Sequence, residues 1–122
     1  MEVLYIKRNT TPVLPIRVEG VKFEQLDKII FGFKSCLHKN EPIILKKTII
    51  KTEKINSFQD EDGTGFTVNL ELTTEETFSF KPGDLFIDVY PVINGNKIVN
   101  TGTPIRYEVI DTVLDEVIKW VI

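Results

Sequence analysis

The stretch Phe78-Ser-Phe-Lys-Pro-Gly-Asp-Leu-Phe-Ile-Asp-Val-Tyr-Pro-Val-Ile93 decides the reading of the fold. Lys81-Pro82-Gly83-Asp84 predicts a turn: Pro82 presets its φ, and Gly83 supplies the positive φ of a type II turn. The residues after it alternate, with Leu85, Ile87, Val89 and Ile93 on one face and Asp84, Phe86, Asp88, Tyr90 and Val92 on the other. That is strand period. The first set makes a core face. The second mixes carboxylates with aromatics, so it is solvated or covered by a partner.

On the C-terminal side, Asn94-Gly95-Asn96 predicts a hairpin turn, because Asn-Gly tolerates the positive φ values of primed turns. Lys97 to Asn100 returns, Gly102-Thr-Pro104 interrupts, and Ile105, Tyr107 and Val109 alternate as a last strand. The tail then changes period. Val113, Leu114, Val117, Ile118 and Val121 recur at helical spacing with Asp111 or Thr112 as cap, which suggests a short amphipathic helix or a frayed apolar end.

On the N-terminal side, Thr73-Thr-Glu-Glu76 has capping-box spacing and predicts one helical turn. Before it, Phe66, Val68, Leu70 and Leu72 form the cleanest alternation in the chain. Asn56 to Gly65 reads as a loop tip. Ile43 to Lys54 is rich in strand formers with apolar residues on both faces, so it is covered on both sides or bulged midway. Ile29, Phe31, Phe33, Ser35 and Leu37 give a core stripe, with Gly32 on the opposite face, where it weakens the strand or lets another backbone approach. Phe23 to Asp27 reads as a connecting turn with Leu26 tucked inward. Leu14, Ile16 and Val18 alternate, and Pro15 places that strand on an edge or at a bulge. Val3 to Lys7 is a short first strand, ended by Arg8-Asn9-Thr10-Thr11-Pro12.

These short strands, separated by Gly, Pro and Asn turns, predict an all-β chain. The expected architecture is an immunoglobulin-like antiparallel β-sandwich of seven or eight strands with a possible short C-terminal helix. The Cys…Trp…Cys hallmark of antibody domains is absent. With 122 residues the chain reads as one domain, 1–122, able to bury a core without staples.

Composition narrows the function. Fifteen basic and 18 acidic residues give a net charge of −3, with no general pull toward nucleic acid or anionic lipid. The basic run Lys46-Lys47, Lys51 and Lys54 reads as a solvated strand face. The single cysteine, Cys36, leaves no intrachain disulfide. No secretory signal pattern or membrane-length apolar run is present, so the chain is expected to be made in the cytoplasm and stay soluble.

Catalytic and metal signatures are weak. Cys36 and His38 stand two apart on the extended Ile29–Leu37 run and could approach one another, but no nucleophile elbow or oxyanion loop accompanies them. Asp60, Glu61 and Asp62 are consecutive, unlike the alternate spacing of a calcium loop. Asp84 and Asp88 lie ~13 Å apart on a strand, too far for paired glycosidase carboxylates. No cofactor and no metal are expected. What remains is apolar surface: Phe86 and Tyr90 on the outer face, and Val113, Leu114, Val117 and Trp120 in the tail. Aromatic enrichment favours a protein interface, with a carbohydrate-stacking platform on Phe86 and Tyr90 as the alternative.

One further pattern enters here. Arg8-Asn-Thr-Thr-Pro12 precedes Ile29-Ile-Phe-Gly-Phe33, then Val68-Asn-Leu-Glu-Leu72 with Thr73-Thr-Glu-Glu-Thr77, Phe80-Lys-Pro-Gly83 and Asp111-Thr-Val-Leu-Asp-Glu-Val117. In this order of features the chain resembles small immunoglobulin-like proteins of phage and prophage tail modules. It is similar to the N-terminal domain of the phage baseplate upper protein over roughly Tyr5 to Ile118. That resemblance implies a non-enzymatic role in a virion tail, through self-association or attachment to other tail or baseplate proteins.

Overall fold

The computed structural model describes residues 4–60, 65–95, 97–99 and 102–113. Leu114, Val117 and Trp120 of the predicted tail helix lie outside these residues, as do Glu61 and Asp62 of the acidic loop, Asn96 and Asn100.

Nine strands and one short helix appear among the described residues. They are β1 (Tyr5–Lys7), β2 (Val13–Glu19), β3 (Leu26–Lys34), β4 (Leu45–Ile50), β5 (Phe58–Asp60), β6 (Gly65–Glu71), α1 (Thr74–Phe78), β7 (Gly83–Ile93), β8 (Lys97–Ile98) and β9 (Ile105–Ile110). The larger sheet runs β1-β9-β7-β3-β4, with β8 pairing the far end of β7, and the smaller runs β2-β6-β5. In immunoglobulin terms β2, β6 and β5 stand where strands B, E and D stand, and β3, β7 and β9 where C, F and G stand. β4 is the C′ strand that variable-type domains add. The chain is an immunoglobulin-like β-sandwich.

The alternations read from the sequence account for the core. Ile29, Phe31 and Phe33 from β3, Phe66, Val68 and Leu70 from β6, and Leu85 and Ile87 from β7 are all buried between the sheets. Phe33 stacks on Phe80 at 5.8 Å, and Phe23, Phe58 and Phe66 form a tilted cluster with centroids 5.5 to 5.9 Å apart. Such pairs add about 0.5–1.5 kcal/mol each beyond their area. Pro15 lies in β2, an edge strand whose one neighbour is β6. Gly83 has φ +117°, and Asn94 and Gly95 have φ +51° and +92°, the double positive φ of a type I′ turn. Thr73 caps α1 with the full reciprocal box to Glu76.

Elsewhere the structure departs from the expectations. β1 pairs parallel with β9. The corner Arg8–Pro12 carries the chain from one sheet to the other, so β1 and β2 cannot form a hairpin and β1 lies along the open edge of β9. Asn9, buried with φ +64°, makes the turn, in the left-handed region that asparagine tolerates better than most residues. β5 falls inside the stretch read as a loop and pairs with β6.

β4 is neither doubly covered nor bulged. It is an edge strand in even register with β3, from Phe33 opposite Leu45 to Lys28 opposite Ile50. Its basic run is not one solvated face either. Lys46 points outward, while Lys47 reaches the Glu71 carbonyl at 2.7 Å and the Glu76 carboxylate at 2.8 Å. Lys51 donates to the Phe23 carbonyl and lies over the Phe23 ring. Val92, read on the outer face that is solvated or covered by a partner, is buried within the chain itself but lies outside the main core cluster, where its strand pairs with β3 and β8 on its two sides.

Candidate functional site

The larger sheet presents one face to the core and the other to solvent. Register determines what meets on the outer face. Phe86 stands opposite Lys34, Asp88 opposite Gly32, and Tyr90 opposite Ile30. On the other side of β7, Phe86 stands opposite Arg106 and Asp84 opposite Glu108. Phe86 and Tyr90 therefore sit ~13 Å apart along one strand with Asp88 between them.

Gly32 opens space between the two aromatics. A Cβ there would meet the Tyr90 ring at 3.9 Å, so the ring lies over a strand position that carries no side chain. The outcome is a depression of about 200 Å³ lined by Gly32, Lys34, Leu37, Ile43, Phe86, Asp88, Tyr90 and Pro104. Leu37 and Ile43 are 57% and 58% exposed, and Tyr90 is 40% exposed. Apolar side chains this exposed and this close together mark a surface that gains by being covered.

Leu37 corrects the sequence reading. β3 ends at Lys34, and the Ser35 hydroxyl donates to the Glu41 carboxylate at 3.0 Å, turning the chain into the β3–β4 loop. The period that would have carried Leu37 into the core stops three residues earlier. The same turn removes the premise of the Cys36–His38 pair, since neither residue lies in the strand. His38 Nδ1 instead accepts from the Asn40 amide at 3.2 Å, within its own loop.

The polar groups of the site are arranged by β7. The Tyr90 hydroxyl donates to Asp88 Oδ2 at 2.5 Å, and Asp88 Oδ1 accepts from the Val89 amide at 3.1 Å. That hydrogen bond, then burial and the Asp88 charge, raise the Tyr90 pKa above 10.0. Asp84 accepts from Arg106 at 2.6 and 2.9 Å at the edge of the face; with both side chains half exposed, that pair adds little to stability. Among the described residues no three His, Cys, Asp or Glu side chains gather closely enough to hold a metal ion. No helix among them is long and apolar enough to cross a membrane.

Of the six interface residues read from the sequence, the structure brings Phe86 and Tyr90 to one face. Val113 is 99% exposed beyond the end of β9, away from Tyr90. Leu37, Ile43 and Pro104 escaped the sequence reading of the site because their approach depends on loops that no period describes, and Lys34 did so because it is brought there by the β3–β7 register. Gly32 carried the one available signal, a glycine in an otherwise apolar strand.

No family model and no curated protein matches the chain. Among solved structures it overlaps the extracellular domain of the voltage-gated sodium channel beta4 subunit, described as a parallel homodimer that explains a role in cell–cell adhesion. The match covers 92% of each chain at 10% identity with a TM-score of 0.37. A likeness this loose carries no inference about what the present chain does.

Proposed function

We propose that this chain is a non-enzymatic assembly domain of a phage or prophage tail, baseplate-like, that works through protein–protein contacts on the outer face of its larger sheet. The observation that carries the contact reading is the depression over Gly32, where Phe86 and Tyr90 are joined by exposed Leu37 and Ile43. Covering a Leu or Ile side chain that now meets water contributes about 1.5–3 kcal/mol when burial is complete. The tail assignment is supported by the resemblance in turn and strand motifs from Arg8-Asn-Thr-Thr-Pro12 to Asp111-Thr-Val. The partners are then other tail or baseplate proteins or further copies of the chain, and the site of action is the virion.

The test is genetic and physical. Tail-fibre, tape-measure or holin genes beside the coding gene support the assignment, and a neighbourhood of unrelated metabolic genes counts against it. In particles produced from that locus, Phe86→Ala combined with Tyr90→Ala is expected to reduce incorporation of the chain. Normal incorporation would remove the face from the mechanism.

A second reading has one observation in its favour: two rings flank a carboxylate in a depression of about 200 Å³, a shape in which a sugar ring stacks while its hydroxyls bond Asp88. Glycan-array binding abolished by Phe86→Ala supports this carbohydrate-binding reading. Silence on the array removes it.

A further inference from the structure

Two apolar features of the chain have no counterpart: the depression over Gly32, and residues 114–122, which follow the last strand. That segment reads Leu-Asp-Glu-Val-Ile-Lys-Trp-Val-Ile, six apolar residues of nine, and holds the only tryptophan of the chain, Trp120. Val113, which leads into it, is 99% exposed. An apolar run of this density gains by leaving water, and the register shows what lies within its reach.

β9 runs antiparallel to β7 with Val109 opposite Gly83, and β3 runs antiparallel to β7 with Lys34 opposite Phe86. β3 and β9 therefore finish at the same end of the sheet, where β7 begins. Leu37 and Ile43, in the loop that follows β3, line the depression toward that end. The chain thus leaves β9 beside the mouth of the depression. From the level of Ile110, Asp88 and Gly32 lie six strand positions away, ~20 Å. Trp120 follows Ile110 by ten residues, which reach ~33 Å when extended. The surplus covers the reversal through 111–113. As a helix the same ten residues rise only ~15 Å, which stops short of Gly32. Reach therefore selects an extended segment. In that form Leu114, Ile118, Trp120 and Ile122 share one face, a strand pattern broken only by Glu116.

Charge agrees with this occupant. Lys34 on β3, and exposed Lys46 opposite Gly32 on β4, have no hydrogen-bond or ion-pair partner among the described residues. Asp88 is held by Tyr90 and Asp84 by Arg106, and the carboxylate of Glu108 stands two strands from Lys34, on β9. An apolar hollow beside two unpaired ammoniums suits an apolar, acidic segment. Residues 114–122 offer Asp115 and Glu116 against one Lys119.

We infer that residues 114–122 fold back along the outer face of their own larger sheet, extended, with Trp120 in the depression over Gly32 between Phe86 and Tyr90. The missing side chain of Gly32 is the room that the indole fills. This rests on the reading of the face as a contact surface. The segment is its occupant in the free chain, and a tail or baseplate partner gains the face by displacing it.

Trp120 fluorescence of the full chain tests this, since no other tryptophan contributes. The wild type is expected to emit to the blue of the urea-unfolded chain and to resist acrylamide quenching. Both properties are expected to be independent of protein concentration, because a short linker supplies an effective concentration of about millimolar. Gly32→Leu fills the depression from below. Gly32 has no positive φ, and a Cβ there meets only the Tyr90 ring at 3.9 Å, so the strand accommodates it. This variant, and Phe86→Ala combined with Tyr90→Ala, are each expected to move the emission to its unfolded position and to raise the quenching to match, with far-UV circular dichroism unchanged. Val13→Ala, at an exposed apolar residue of the smaller sheet, is expected to leave both readings as they are.

A wild-type Trp120 that is quenched as in the unfolded chain, or protection that survives both variants, overturns the inference. So does protection that grows with concentration, which assigns the segment to the face of another copy. An exposed Trp120 in a chain whose incorporation into particles still depends on Phe86 and Tyr90 ends the fold-back but leaves the assembly reading standing. A docked wild-type Trp120, with normal incorporation of the double variant, does the reverse.

Discussion

Thr77 and Thr10 complete one another across the end of the sandwich. The Thr77 hydroxyl accepts from the Thr10 amide at 3.1 Å and donates to the Thr10 carbonyl at 2.9 Å. Thr77 is fully buried, so no water stands in for it. The bonds tie α1 to the corner where the chain leaves β1 and crosses to β2. Arg8 adds to this by donating to the Phe78 carbonyl at 2.7 Å while lying over the Phe78 ring. Thr77→Val keeps the shape and removes both hydrogen bonds, leaving a backbone donor and acceptor without partners. It is expected to destabilise by about 1–3 kcal/mol. A denaturant midpoint unchanged from the wild type would show that the corner is held by packing alone.

Gly65 opens β6 directly opposite Glu19 of β2. A Cβ on Gly65 would lie 2.2 Å from the Val18 carbonyl oxygen and 3.1 Å from the Glu19 Cα, both backbone atoms that cannot rotate away. Gly65→Ala is therefore expected to cost about 1–3 kcal/mol, as overpacking does, by pushing the ends of β2 and β6 apart. The control is Gly20→Ala, where a Cβ meets nothing within 4 Å and the penalty comes from φ +78° instead. Hydrogen exchange separates the two. Gly65→Ala is expected to expose amides of both β2 and β6, whereas Gly20→Ala acts on its turn.

Much of this fold was legible because its central strands obey a period. In β6 and β7 each buried residue alternates with a more exposed one over long runs, so the core face can be read without knowing what it packs on. Pro15 declared an edge, and Asn94-Gly95 declared a turn. β5 was not legible: Phe58-Gln-Asp60 has one apolar residue in a polar segment, and it is a strand because β6 offers an unpaired edge. The parallel β1–β9 contact depends on a chain crossing at Asn9 that no local pattern encodes. The candidate site divides the same way. Phe86 and Tyr90 follow from strand period, while Leu37 and Ile43 reach the depression through a loop turned by the Ser35–Glu41 hydrogen bond.

Asp111 gives a pH prediction at the opposite end of the molecule from Tyr90. Its carboxylate accepts from the Thr112 amide at 2.8 Å and from Arg8 at 2.6 Å, and these bonds, the backbone one first, lower its pKa below 3.8. A carboxyl whose folded pKa is depressed contributes stability above its unfolded pKa and loses it as pH falls through the folded value. The link between Arg8 and the end of β9 is therefore expected to hold at neutral pH and to release only below the ordinary aspartate range. In carboxyl NMR titrations, Arg8→Met is expected to raise the Asp111 midpoint only part of the way, because the Thr112 bond remains. Complete return to the ordinary value would assign the whole effect to Arg8.

Tyr90 provides the counterpart at high pH, inside the candidate site. Its hydroxyl is held by Asp88, and that bond, followed by burial and the Asp88 charge, raises its pKa. Tyr107, buried in the core, is raised by desolvation alone. Asp88→Asn removes the charged acceptor and is expected to bring the Tyr90 midpoint down toward 10.0 while leaving that of Tyr107 where it is. The sign for stability follows from linkage. A group whose folded pKa is raised contributes stability that is fully present below the unfolded value and is lost as pH rises through the folded one. The wild type is therefore expected to lose stability above about pH 10, and Asp88→Asn to reduce the part of that loss belonging to Tyr90. Residue-resolved tyrosine NMR through this range makes the check. If Tyr90 titrates identically in the wild type and in Asp88→Asn, the short hydrogen bond does not persist in solution.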